Sequence, residues 1–244
     1  MKKIIRKIFN KIGYEIKKID YKDDPNFLLC KFLNKYEVKC FLDIGANMGQ
    51  TALAIRKNNY KERIISFEPQ SVAHKYLINL SKKDDKWQIF QRCAIGDANE
   101  IKKIKISSNS VSSSFFDFSD ESIELSKDLS FIGEEEVQVY TLSDVLKKIA
   151  KEDQNCNLFL KMDVQGMEQK IITSSQNILN RFLGLSCELP ITSLYVGDEN
   201  FLHTINFLKK NGFEIYSIYN SVFDHLSGKT YAVDITFINK NILK

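Results

Sequence analysis

A chain of 244 residues with 43% apolar and 27% charged residues has the material for one large α/β domain with a short appendage, which excludes a disordered polymer and leaves two full domains crowded. Its formal charge of +4 is small and local: residues 1–19 hold Lys2, Lys3, Arg6, Lys7, Lys11, Lys17 and Lys18 against Glu15 alone, which is not the concentrated stripe of a nucleic-acid binder. The five cysteines (Cys30, Cys40, Cys93, Cys156, Cys187) lack the two-residue spacing of a zinc or redox pair, and no apolar run nears the ~20 residues that cross a bilayer, so a reducing, cytoplasmic setting is expected.

In the first segment Ile4, Ile5, Ile8, Phe9 and Ile12 fall at helical spacing with lysines on the other side, and Gly13 offers a stop. This predicts a short basic amphipathic helix, a pattern used either to pack on a domain or to dock on the inner, anionic face of a membrane. Asp24-Pro25, a capping acid before a proline suited to the first turn, starts a second helix that runs toward Tyr36. Residues 1–39 thus read as an N-terminal helical extension.

From Cys40 the chain alternates short apolar runs with helical patterns, the mark of a parallel sheet covered by helices. Strands are expected at 40–44, 63–67 and 87–91. Between them, Met48, Ala52 and Ile55 share one helical face, and Ala73, Leu77 and Leu80 share another. The alternation breaks after a strand-like 101–106, where six serines between Ser107 and Ser114 precede Phe115, Phe116 and Phe118; a lid-like insertion around 107–135 is expected. Regularity returns with strands at 137–140, 158–162 and 184–188 and helices at 143–150 and 167–179. A helix carrying Phe201, Ile205 and Leu208 then ends at Gly212, and two strands, 213–219 and 231–238, have no crossover helix between them and must pair antiparallel.

The first strand runs into Asp43-Ile44-Gly45-Ala46-Asn47-Met48-Gly49 just before a helix, a turn that lets backbone approach a ligand with the helix N-terminus aimed at it. Asn47 stands where many nucleotide loops carry glycine, and Asn tolerates left-handed backbone well. Glu68, 19 residues beyond Gly49 at the end of the second strand, is placed to accept the two ribose hydroxyls of an adenosine-containing ligand. The turn has no three-glycine fingerprint and opens with an acid, which repels a pyrophosphate and suits a sulfonium ligand with a charged amino group.

Together with Phe67-Glu68-Pro69, Ala94-Ile95-Gly96-Asp97, Ser112-Ser113 and Lys161-Met162-Asp163-Val164-Gln165-Gly166-Met167-Glu168, this turn resembles the FkbM family of methyltransferases over about residues 40–238. The resemblance implies a class I methyltransferase domain over 40–244: a Rossmann-like, mostly parallel seven-stranded sheet with an antiparallel last strand and helices on both faces. It implies methyl transfer from S-adenosylmethionine to a hydroxyl of a sugar, glycan or related secondary metabolite. By position Asp43, Gly45, Asn47 and Gly49 would line the methionine and ribose part, Glu68 would hold the ribose, and Ala94 with Asp97 would sit beside adenine. Met162 and Gly166-Met167 depart from the residues more usual in the family's fourth-strand motif, but the acids are kept.

Transfer to an alcohol needs alignment and a proton acceptor. Asp163, Glu188 and Asp234 are expected at the carboxyl edge of the sheet, where open α/β sheets bind ligands. Asp163 is the first choice for general base, its alternatives being a helix cap or a ligand to the methionine amino group; Glu188 and Asp234 serve substrate binding or structure. Three such carboxylates also have the oxygen chemistry to hold Mg²⁺. His74 reads as structural, His203 and His225 stay open, and Tyr195 with Ser112–Ser114 offers hydrogen bonds to a polyhydroxylated acceptor. Two other readings share these features: a non-catalytic binding or docking protein of the same fold, and an NAD-dependent oxidoreductase. Oligomeric state is not legible.

Overall fold

The computed structural model describes residues 7, 9–11, 13, 24–126, 128–149, 157–197 and 201–243. The expected N-terminal amphipathic helix lies largely outside the described residues, as does Cys156; among those described there, residues 7 and 9–11 are helical and Phe9 is exposed. Helix α1 (Pro25–Lys35) begins as its sequence dictates, with the Asp24 carboxylate accepting from the amides of Asn26 and Phe27 at 2.9 and 3.3 Å.

Ten strands follow. They are β1 (Cys40–Ile44), β2 (Arg63–Phe67), β3 (Trp87–Ile89), β4 (Ala94–Gly96), β5 (Glu100–Ser107), β6 (Phe131–Thr141), β7 (Leu158–Met162), β8 (Phe182–Pro190), β9 (Phe213–Phe223) and β10 (Thr230–Asn239). Seven of them form the main sheet in the order β3-β2-β1-β7-β8-β10-β9. All neighbours from β3 to β8 run parallel, while β10 is antiparallel to both β8 and β9. The chain winds outward from β1 to β3 on one side and from β7 on the other, so the switch in winding direction lies between β1 and β7. In open α/β sheets that crevice is where ligands bind.

Side-chain alternation along each strand divides the core into two layers. On one face Phe41, Ile64, Phe159 and Leu183 meet Phe32 and Leu33 of α1, Ala52 and Ile55 of α2 (Gln50–Lys57) and Leu77 of α3 (Ser71–Ser81). On the other, Leu42, Ile65, Leu160, Leu185 and Ile235 meet Val145 of α5 (Leu142–Ile149), Ile171 of α6 (Glu168–Ser174) and Leu208 of α7 (Phe201–Lys210). The central strand β1 is buried at all five positions. No helix among the described residues is long and apolar enough to cross a membrane.

The middle of the chain is more regular than its composition suggests. Residues 131–136 extend the strand expected at 137–140, because Glu134 and Glu136 stand opposite Lys105 and Lys103 across the antiparallel β5–β6 pair. Opposite charges in register thus carry β6 back over residues that its apolar pattern does not announce. With β4, which pairs parallel to β6, they make a three-stranded second sheet. The irregular insertion therefore shrinks to residues 108–130, with a 3-10 turn at Ser110–Ser112 and a short helix α4 (Asp120–Leu125) capped by Ser119. The helix expected over 167–179 ends at Ser174 and continues as a 3-10 turn, Gln176–Arg181; the strand expected to 91 stops at Ile89.

Phe159 anchors the first layer. It is fully buried, stacks on Phe41 at 5.6 Å and meets Phe32 edge-on at 5.3 Å. Phe159→Ala is expected to cost about 3–5 kcal/mol, read as a lowered urea midpoint with unchanged slope; a loss under 1 kcal/mol would show that the layer collapses around the gap.

Candidate active site

Strand register explains why acidic residues scattered along the sequence meet. Asp43 of β1 stands directly opposite Lys161 of β7, Lys161 opposite Ser186 of β8, and Glu188, two residues on, opposite Asp234 of β10. Register partners point to the same side of a sheet, and so do residues two apart. Asp43, Lys161, Asp163, Glu188 and Asp234 thus converge on one side of the carboxyl edge at the switch between β1 and β7.

Two cavities open there. The first, open to solvent, spans ≈ 900 Å³ between the loop after β1, the end of β2, β4 and the loop after β7. The second, also open to solvent, spans ≈ 800 Å³ beneath the insertion and beside β8. They share Val111, Asp163 and Gln165. These residues form the boundary between two adjoining chambers.

The loop of the first chamber is shaped by backbone constraints. Gly45 has φ +76°, and a Cβ on it would lie 1.9 Å from the carbonyl oxygen of Asp163, so nothing but hydrogen fits. Asn47 has φ +45°, the left-handed conformation its residue type tolerates. Gly49 caps α2 at φ +82° against the Trp87 ring and packs the helix instead of facing the cavity. Glu68 is buried; Oε2 accepts from the amide of Asn47 and Oε1 from that of Gln70, both at 2.7 Å. Burial pushes its carboxyl up to about 7 against those two amides.

Of the residues expected to bind the cofactor, Gly45, Asn47, Glu68 and Ala94 line this chamber; Asp43, Gly49 and Asp97 do not, and Asp97 is exposed. Asp43 has no exposed surface, neither of its oxygens has a hydrogen-bond partner, and the Lys161 ammonium stands 3.7 Å away. Its charge therefore faces Lys161 first, and burial raises its carboxyl above the usual range. For Lys161, burial works against the ammonium, but Asp163 and Asp43 more than reverse that and hold it above the ordinary lysine value. The chamber also gains residues that were not singled out, among them Gln70, Cys93, Ile104 and Phe115. Gln70, two residues past Glu68, had a local signal; the others arrive through tertiary contacts.

At the boundary, Asp163 accepts from Lys161 at 3.3 Å and from Gln165 Nε2 at 2.5 Å, with its side chain still 43% exposed. Gln165 also donates to Glu188 at 3.4 Å and accepts from the Tyr195 hydroxyl at 2.6 Å, so one amide links the expected base, a second acid and a phenol. Its backbone is left-handed, φ +54°, before Gly166 at φ +100°. Buried Glu168 holds this turn by accepting from the amides of Val164, Gln165 and Gly166 at 2.7, 3.1 and 3.0 Å.

Glu188 lines the second chamber and also accepts from Ser221. Burial, then the charge of Asp163, pushes it up to about 8; the same causes push Asp234 up to about 6. Asp234 lines neither chamber. Among the described residues no group of three His, Cys, Asp or Glu side chains is arranged to hold a metal ion, and the cation beside Asp163 is Lys161, which lends the Mg²⁺ expectation no support.

The insertion roofs both chambers. Asn47 Nδ2 and Gln70 Nε2 each donate to the carbonyl of Ser110 at 2.9 Å, Ser113 donates to Gln70 Oε1 at 3.1 Å, and Ser114 donates to the Gln165 carbonyl at 2.6 Å. The hydroxyls of Ser113 and Ser114 thus serve the roof, while Ser112 and Tyr195 face the second chamber. His74 donates from Nε2 to the Phe90 carbonyl at 2.8 Å, a structural bond, and His203 and His225 stand outside both chambers.

No curated protein matches the chain. Similar solved structures include precorrin-6y C5,15-methyltransferase from Geobacter metallireducens, at 12% identity and a TM-score of 0.46 over 91% of each chain. Fibrillarin from Aeropyrum pernix, solved with bound S-adenosyl-L-methionine, is similar at 13% identity and a TM-score of 0.45 over 82% of this chain and 66% of that one. At these identities and TM-scores neither a role nor a substrate carries over. Residues 43–215, from the end of β1 to the edge strand β9, match the model of the methyltransferase FkbM domain, and the protein belongs to that family of methyltransferases.

Proposed function

We propose that the protein transfers a methyl group from S-adenosylmethionine to a hydroxyl oxygen of a saccharide, glycan precursor or related metabolite. The observation that carries this reading is the pair of chambers meeting at Asp163 and Gln165, the first lined by Gly45, Asn47 and Glu68 and the second by the polar groups of Ser112, Glu188 and Tyr195.

The first chamber fits the cofactor. Asn47 Oδ1 is buried there without a partner, Gly45 lines the wall while packing on the Asp163 carbonyl, and Glu68 keeps lone pairs free for ribose hydroxyls. Ile104 and Phe115 beside Ala94 supply apolar walls for a flat base. When bound, the cofactor supplies an electrophilic methyl group: the acceptor oxygen bonds to the methyl carbon as the carbon–sulfur bond breaks.

This chain's residues provide alignment and proton transfer. Asp163 takes the hydroxyl proton as general base, and Gln165 holds that carboxylate in place while Tyr195 holds Gln165. Lys161 stays charged beneath Asp163 and orients it from the other side. Glu188, protonated near neutral pH, donates to the acceptor, and the roof around Ser110 is the lid that keeps water out. In this reading the basic segment 1–19 brings the enzyme to a membrane-held acceptor.

The first test is ligand-dependent stability. S-adenosylhomocysteine at 100 times its Kd is expected to stabilise the fold by about 2.7 kcal/mol, whereas NAD leaves the melting temperature unchanged; the reverse order would restore the oxidoreductase reading. Glu68→Ala should abolish the shift. Asp163→Asn is expected to lower kcat by about 10²–10⁴-fold while cofactor binding persists, measured with labelled cofactor; unchanged kcat would remove Asp163 as the base and favour a docking role.

A pH dependence follows from the raised carboxyls. Between the unfolded-state range near 4.5 and folded values of about 7 for Glu68 and about 8 for Glu188, the native state binds more protons than the unfolded chain. Stability of the free protein should therefore fall as pH rises from about 5 to about 8, and Glu188→Gln should flatten the upper part of that slope in thermal unfolding.

A further inference from the structure

Position 47 requires left-handed backbone, which glycine adopts at no cost and asparagine only tolerates. What asparagine adds is a side chain, and its two ends meet different surroundings. A carbonyl can only accept, so the end that meets the Ser110 carbonyl at 2.9 Å is Nδ2. The other end, Oδ1, is buried in the wall of the first chamber with no hydrogen-bond partner among the described residues. Gln70 joins the same turn: Nε2 donates to the Ser110 carbonyl at 2.9 Å, and Oε1 accepts from Ser113 at 3.1 Å. The backbone amides of Asn47 and Gln70 end on the two oxygens of Glu68. One carboxylate thus fixes two amides, and the side chains of those two residues fix one carbonyl of the insertion.

That carbonyl belongs to the turn that divides the chambers. Ser113 and Ser114 line the first, Asn109 and Ser112 the second, and Val111 both. The second half of the insertion lines the second chamber alone, through Phe118, Ser122 and Leu125, and is attached elsewhere: the Ser119 and Ser122 hydroxyls donate to the carbonyls of Ser193 and Leu194, both at 2.6 Å. The acceptor chamber is therefore walled by a segment with two attachments, one to the loop after β8 and one to the residues that Glu68 holds. A ligand whose ribose hydroxyls donate to Glu68, and which offers a donor to Asn47 Oδ1, restrains the second attachment. By linkage, whatever the cofactor contributes to holding the turn, the turn contributes to holding the cofactor.

We propose that Asn47 and Gln70 are positioning residues for the acceptor: through Ser110 they fasten a wall of the second chamber to the carboxylate that receives the cofactor, so that the cofactor, once bound, sets that chamber for the acceptor. The inference rests on the methyltransferase reading of the two chambers. It gives the side chain at position 47 a task that cofactor binding alone does not, since glycine would keep both the loop and the amide that donates to Glu68. The acceptor meets a less restrained wall in the free protein and a fixed one in the cofactor complex.

The test is backbone hydrogen exchange on the full chain, read by mass spectrometry with and without saturating S-adenosylhomocysteine. Direct contact would slow exchange over residues 111–115, which border the first chamber, so the readout is residues 118–126, which do not. In the unaltered protein, exchange over 118–126 is expected to slow at least about fivefold on binding. Asn47→Gly combined with Gln70→Ala keeps both backbone amides and removes both tethers. This double variant should keep a melting shift with S-adenosylhomocysteine, while the slowing over 118–126 falls below about twofold. Asn47→Gly alone keeps the Gln70 tether and should give an intermediate ratio, which decides the matter if the double variant does not fold. A merely structural loss would speed exchange over 118–126 with and without ligand alike, leaving the ratio unchanged. Slowing that is absent from the unaltered protein, or a ratio undiminished in the variants, overturns the inference and leaves the methyltransferase reading standing. If S-adenosylhomocysteine does not bind the unaltered protein, that reading falls and the inference with it.

Discussion

The active end of the sheet depends on one buried ammonium. Asp43 lies at the centre of the sheet with no water contact and no hydrogen bond, a place where a lone carboxylate could not persist as an anion. Lys161, its neighbour across the β1–β7 ladder, supplies the counter-charge and reaches on to Asp163. Removing one partner of such a pair leaves the other uncompensated, which is far costlier than the net contribution of the pair itself. The arrangement ties the rigidity of the sheet to the orientation of the residue proposed as base.

Around that pair the site is made of elements far apart in sequence. The insertion after β5 is hung from the loop after β1 through the carbonyl of Ser110, from the end of β2 through that carbonyl and the Ser113 hydroxyl, and from the loop after β7 through Ser114 and Gln165. One short segment thereby senses both chambers. Asn47 ties the first chamber to the roof, since its amide donates to Glu68 and its side chain donates to Ser110.

What the sequence made legible was whatever has a local signal. The parallel strands and covering helices show in the alternation of apolar periods, the α1 cap in Asp24-Pro25, and the loop from Asp43 to Gly49 in its small residues. Asp163, Glu188 and Asp234 could be placed at one edge because strand ends imply it. The roles of Asp43 and Gly49 could not be read so well: which wall each faces is decided by Lys161 and Trp87, both distant in sequence. Strand β6 was underread because its first half is acidic and is stabilised by lysines on another strand. Lys161 and Gln165 sat inside a recognised motif, yet their links to Asp43, Glu188 and Tyr195 exist only through register and folding.

Glu168 has the same relation to its turn that Glu68 has to the loops beside it. Three successive amides, those of Val164, Gln165 and Gly166, end on its carboxylate, and the amides of Asn47 and Gln70 end on Glu68. Clustered backbone amides of this kind are what other α/β proteins present to phosphate groups. Here the polypeptide carries its own anions in those two nests. The amides that could have cradled a phosphate are thus already occupied by two glutamates of the chain's own turns.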